Sequence, residues 1–191
     1  MGNFSGDMAR YRARGSRGRE LWLNSAVWAI AWYRLGNWLY TSPPNILVRV
    51  PLKLISFVGN KACEVLMEMC IDPQATIGPG LYIGHIGGVH INPGAVLGKN
   101  CDVAHRVTIG TSALGRQGAP TIGDNVYIGT GATLIGKITV GSGAKIAANS
   151  LIISNIPEGA TVMGVPGRIV MRPPPAAKSA AQSEREPAHA D

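Results

Sequence analysis

The sequence predicts a mainly β fold, a parallel β-helix of hexapeptide repeats over residues 71–171, preceded by a short α-helical N-terminal segment. Two observations carry this reading. Aliphatic residues return every sixth position: Ile71, Ile77 and Ile83; then, after a two-residue slip, Ile91, Leu97, Val103 and Ile109; then Ile122, Ile128, Leu134, Val140, Ile146 and Ile152. A helix repeats every 3.6 residues and a strand every 2, so a strict six demands short strands joined by turns. The position four residues after each aliphatic is usually small, as at Ala75, Ala95, Cys101, Val107, Ala132, Ala144 and Ser150. Two inward positions per hexad fit a narrow prism, and Gly78, Gly84, Gly98, Gly110, Gly123, Gly129 and Gly141 fall where tight corners are needed.

These hexads resemble those of left-handed β-helix proteins, in which three hexads close one triangular coil of about 18 residues. The left hand is implied by that resemblance, since spacing alone does not set it. Thirteen hexad starts, three to a coil, make about four coils. Each coil buries its interior only against its neighbours, so the ends need caps.

Of the segments before the repeat, residues 1–19 are polar, Gly-rich and Arg-rich and are expected to be mobile. The net charge of +7 is concentrated there, in Arg10, Arg12, Arg14, Arg17 and Arg19. No aromatic residues interleave with a basic sheet face, so the cluster reads as solvated or lipid-facing, with no nucleic-acid partner. Residues 20–70 read as helical. A first run holds Trp22, Trp28, Trp32 and Trp38 and ends at Pro43-Pro44; its apolar core is too short for a bilayer, and Arg34 interrupts it. Packing on the β-helix or on a partner subunit is the expected use of this run. The alternative is an interfacial anchor that would place a cytoplasmic protein peripherally at the inner membrane. A second run, Ile46 to Cys70, reads as a helix leading into the first coil. Residues 172–191, rich in Ala, Ser, Glu and Pro, are expected to be disordered. Cys63, Cys70 and Cys101 show no metal-ligand spacing, and their odd number argues against a disulfide framework and for a reducing compartment.

A regular repeat builds a scaffold, so function is sought where it is interrupted. One interruption is the slip between Ile83 and Ile91, with Gly87-Gly88; the other is the loop Thr111 to Thr121. His85 and His105 sit two residues past Ile83 and Val103, one coil plus the slip apart, so they stack on neighbouring rungs if the slip bulges outward. Rungs about 4.8 Å apart would bring both imidazoles to one reaction volume. The same column continues through Thr130 and Ala148, flanked by Gly129, Gly131, Ala132, Ala147 and Asn149, a strip of small residues suited to a long ligand. A neutral imidazole can take a proton from an attacking hydroxyl near neutral pH. His90 lies in the slip without a clear place, and His189 reads as incidental.

The stretch from "IGPGLYIGHIGGVHINPG" to the closing "GVPGRIV" resembles the hexapeptide-repeat acyltransferases, and most nearly the serine acetyltransferase-like branch that includes colanic acid and other exopolysaccharide O-acetyltransferases. The resemblance implies acetyl-CoA as co-substrate, no metal, and homotrimers with sites between subunits. It implies a coenzyme groove at Gly129, Thr130, Gly131, Ala147 and Ala148, with Lys145 and Arg168 available to the phosphates, and His85 as general base beside His105. The family's orienting Asp is replaced here by Cys70, so Asp72 is the candidate substitute. The Arg-His pair that holds serine is absent from Arg116-Gln117-Gly118-Ala119-Pro120, the helical N-terminal region is short, and the chain ends in Asp191. These departures point to a sugar hydroxyl of an exopolysaccharide or surface polysaccharide as acceptor, with serine O-acetylation for cysteine biosynthesis as the alternative. A γ-type carbonic anhydrase, suggested by the spacing of His85 and His90, and an inactive scaffold are the remaining readings.

Overall fold

The computed structural model describes residues 2–112 and 117–170. Arg116 and the tail expected over 172–191, with His189 and Asp191, lie outside the described residues. Four helices, α1 (Gly2–Ala13), α2 (Arg19–Leu23), α3 (Ser25–Thr41) and α4 (Ile46–Met67), precede a parallel β solenoid of about four turns. Strands β1 (Met69–Ile71), β2 (Thr76–Ile77) and β3 (Tyr82–Ile83) form the first coil. The second has β4 (Val89–Ile91), β5 (Val96–Leu97) and β6 (Asp102–Val103); the third has β7 (Thr108–Gly110), β8 (Thr121–Ile122) and β9 (Tyr127–Ile128). The fourth has β10 (Thr133–Ile135), β11 (Thr139–Val140) and β12 (Lys145–Ile146), followed by β13 (Leu151–Ile152), β14 (Thr161–Met163) and β15 (Arg168–Val170). The three faces stack as β1-β4-β7-β10-β13, β2-β5-β8-β11 and β3-β6-β9-β12-β14-β15, parallel except for the last pair.

The hexad aliphatics point inward and are buried from Ile71 to Ile152, as are Ala75, Ala95, Cys101, Val107, Ala132, Ala144 and Ser150 between them. Interruptions are absorbed at the corners. Tyr82 pairs with Asp102, twenty residues on, while Lys145 pairs with Tyr127, eighteen back, and the long loop makes Thr133 pair with Thr108, twenty-five back. The rungs therefore stay in register whatever the corner holds.

The N-terminal stretch differs from its sequence reading. Residues 2–13 are helical, and Tyr11, Met8 and Asp7 are buried against the first coil. The edge of that coil has no preceding rung to bond to, and side chains from α1 and α3 satisfy it instead. Asp7 accepts hydrogen bonds from the backbone N–H groups of Gly80 and Leu81 and pairs with Arg34 at 2.8 Å. Arg34 also donates to the carbonyls of Ile77 and Gly78. Tyr11 donates to Ile83 O and accepts from Ile83 N–H, Tyr33 donates to Ala75 O, and Asn37 donates to Pro73 O and Ala75 O. Burial holds the Tyr11 phenol well above its ordinary value and pushes Tyr33 up to about 12, so both remain donors. Arg10 and Arg14 are not a loose cluster; both pair with Asp102 on the second coil.

The Trp-rich run divides at Asn24 into α2, which carries Trp22, and α3, which buries Ala26, Val27, Ala29, Ile30, Tyr33, Arg34, Gly36 and Leu39, consistent with packing. Gly59 of α4 lies where any Cβ would overlap the Trp32 ring, so this glycine sets the α3–α4 approach. Beyond that seam α4 leaves Leu47, Leu54, Phe57, Val58, Val65 and Leu66 exposed. Among the described residues, no helix is long and apolar enough to cross a membrane.

Asp7 is fully buried and Arg34 is 8% exposed, so removing one partner strands the other charge. Asp7→Ala is expected to lower stability by about 3–5 kcal/mol in urea unfolding, whereas Arg12→Ala on the exposed face of α1 should stay within about 0.5 kcal/mol.

Candidate active site

The corner between the β3 face and the β1 face collects the side chains on which chemistry can rest. Descending it are Glu68 before β1, the slip from His85 to Gly88 before β4, His105 and Arg106 before β7, Thr130 and Gly131 before β10, and Ala148 and Asn149 before β13. The stacking anticipated for the histidines is present. Ile83 pairs with Val103, and the His85 and His105 rings lie edge to face with centroids 5.9 Å apart. His85 is exposed and His105 half-buried; Nδ1 of His105 is buried without a hydrogen-bond partner.

The slip owes its shape to its glycines. Gly87 and Gly88 have φ of 107° and 66°, and Gly87 O accepts from Arg106 N–H at 2.8 Å. The bulge is thereby tied to the rung below. Lower down, Gly131 N–H donates to His105 O, and Asn149 N–H donates to Thr130 O at 2.7 Å. A Cβ on Gly129 would stand 2.7 Å from the backbone nitrogen of Ala148, so the strip requires glycine there. Gly129 is buried, Thr130, Gly131 and Ala147 are half-buried, and Ala148 is exposed at the column expected for a long ligand. Lys145 is exposed on the β12 face two residues before Ala147, and Arg168 is exposed on β15 opposite Met163.

Asp72, His90 and Cys101 fall elsewhere. Asp72 follows β1 and therefore occupies the next corner; its Oδ1 accepts from Gln74 N–H within its own turn, so it does not orient His85. His90 projects outward from the flat β4 face beside Cys70, which separates it from the corner carrying His85. Cys101 is fully inside the prism, with Sγ 3.2 Å from Gly123 O, and burial pushes its thiol up to about 11. A thiol held protonated is no nucleophile.

One corner residue was missed. Glu68 reads in sequence as a charge on the second helical run, but it ends α4 in the left-handed conformation, φ 53° and ψ 37°. Because Met69 pairs with Val89, Glu68 sits one rung above Gly88. Glu68, Ile86, Gly87, Gly88, His105 and Arg106 line a cavity of about 530 Å³. Only the helix end, which sequence periodicity places poorly, could have revealed it.

The bacterial transferase hexapeptide family (six repeats) matches residues 119–154. Over 146 residues the chain is 34% identical to serine acetyltransferase from Mycobacterium tuberculosis, covering 76% of this chain and 59% of that protein. It is 35% identical to the Escherichia coli serine acetyltransferase over 76% of this chain and 50% of that one. The chain thus spans only half to three-fifths of the length of these curated relatives. The crystal structure of Neisseria gonorrhoeae serine acetyltransferase in complex with serine superposes with a TM-score of 0.74 at 31% identity, covering 88% of this chain and 67% of that one. Relatives at this level are named for serine, which overturns the polysaccharide acceptor expected from the altered loop and the missing Asp.

N-ethylmaleimide at pH 8 is expected to modify half-buried Cys70 in the folded protein and to reach Cys101 only after denaturation. The folded Cys101 thiol titrates near 11 and the unfolded one near 9. Its contribution to stability is therefore complete below about pH 9 and is lost as pH rises toward 11, a decline that Cys101→Ala should lessen in pH-dependent unfolding.

Proposed function

Because the chain belongs to the hexapeptide-repeat acyltransferases, we propose that it is a serine O-acetyltransferase that moves the acetyl group of acetyl-CoA to the hydroxyl of L-serine. The observation that carries this reading is the edge-to-face pair His85 and His105 on neighbouring rungs, in a chain whose relatives are named serine acetyltransferases. The transfer is direct. As the hydroxyl oxygen attacks the thioester carbonyl carbon, His85 accepts the hydroxyl proton; the carbon–sulfur bond breaks, and coenzyme A leaves with that proton. Half-buried His105 stands edge-on to His85, near enough to share the reacting volume and donate to the developing oxyanion. No covalent acyl-enzyme is required, which agrees with the inert placement of Cys101.

The acetyl donor lies lengthwise down the corner, over Gly129, Thr130, Gly131, Ala147 and Ala148, where the side chains are too small to block it. Lys145 and Arg168, both exposed at the lower end, meet its phosphates. The assembly proposed is a homotrimer with the corner at the interface between protomers.

Release of free coenzyme A from acetyl-CoA should be stimulated by L-serine and not by oligosaccharide repeat units; stimulation by saccharide alone would overturn the reading. His85→Ala is expected to lower kcat by about 100- to 10,000-fold, the usual contribution of a positioned general base, with the KM for acetyl-CoA little changed.

A further inference from the structure

We infer that the cavity above the histidines is the acceptor subsite for a small zwitterionic amino acid, with Glu68 taking the α-ammonium group and Arg106 the α-carboxylate. The inference rests on the serine reading above and assigns residues to it. The cavity of about 530 Å³ is lined by Glu68, Ile86, Gly87, Gly88, His105 and Arg106, so an acidic residue, an arginine and a candidate catalytic histidine border one space. That is ample for an amino acid of serine's size.

The two residues stand on opposite sides of one short bulge. Glu68 Oε2 lies 4.0 Å from the Cβ position of Gly87, and the Arg106 Cα lies 3.1 Å from that of Gly88. Both residues are held in the left-handed region, Glu68 as the cap of α4 and Arg106 with φ 59°. A non-glycine residue in that region is uncommon and persists when its surroundings fix it. Neither side chain has an ion pair or hydrogen bond among the described residues. An unpaired acid and an unpaired guanidinium across a glycine bulge match the charge pattern of a free amino acid, and Arg presents a planar fork suited to a carboxylate. With the backbone groups of the amino acid so held at the cavity that His105 lines, a one-carbon hydroxyl side chain reaches toward the histidine pair, where His85 stands edge to face with His105 at 5.9 Å.

The test measures steady-state acetyl transfer by the full chain with L-serine and L-serine methyl ester, for the unsubstituted protein, Glu68→Gln and Arg106→Gln. Each substitution should raise the KM for L-serine about 10- to 100-fold, as loss of a charge-assisted hydrogen bond does, while the KM for acetyl-CoA serves as internal reference. The unsubstituted protein should prefer L-serine to its methyl ester, and Arg106→Gln should abolish that preference while Glu68→Gln keeps it. A merely structural role would not separate the two acceptors. An unchanged KM for L-serine in both variants, or a preference that survives Arg106→Gln, overturns the subsite while leaving the serine reading intact. Absence of serine acetylation by the unsubstituted protein overturns both.

Discussion

A stack of parallel strands has two open ends, and the rest of this structure depends on how the upper one is closed. Each rung's N–H and carbonyl groups bond to the rungs above and below, so the first coil presents a row of groups with nothing above it. Here five side chains stand in for the missing rung: Asp7 and Tyr11 from α1, and Tyr33, Arg34 and Asn37 from α3. The Asp7–Arg34 pair is the centre of this substitute rung, because each member serves both the other and the coil. The helical segment is thus part of the β architecture, completing its hydrogen bonding in a way that water could not do in a buried seam.

The candidate site inherits its precision from that closed stack. Catalysis by proton transfer needs side chains held within hydrogen-bond reach of the same atom. A solenoid provides this by register: once Ile83 lies on Val103, the side chains two residues on are neighbours as well, and the rings meet at 5.9 Å. The corner then passes from charged and aromatic groups at the top to glycine and alanine below, a gradient of size along a single edge.

The solenoid was legible because one buried aliphatic per strand leaves a period that no helix or ordinary strand produces. The histidine pair was legible for the same reason, as both share one phase of the repeat. What escaped lies outside the repeat. Arg10 and Arg14 read as a loose cationic cluster because their partner, Asp102, is about ninety residues away and only the fold brings it near. Asp7 looked like a tail residue, since no local pattern announces that it will be buried under Gly80 and Leu81. Glu68 was hidden by the end of α4, where the periodic signal stops just before the residue that turns the chain into the corner. Asp72 was drawn toward His85 by closeness in sequence to Cys70, although two residues along a strand carry a side chain to the next corner.

The register offsets of eighteen, twenty and twenty-five residues between successive rungs have a consequence for how such a protein can change. Extra residues leave the prism sideways, at a corner, and the next strand returns to its place as though nothing had been inserted. Lengthening one corner therefore reshapes the wall of a pocket without shifting the rungs that position any other group. The stretch from Glu68 to Arg106 and the stretch from Gly129 to Asn149 can therefore drift independently, so the wide upper end of the corner can be remodelled while the narrow strip of small residues below it stays as it is.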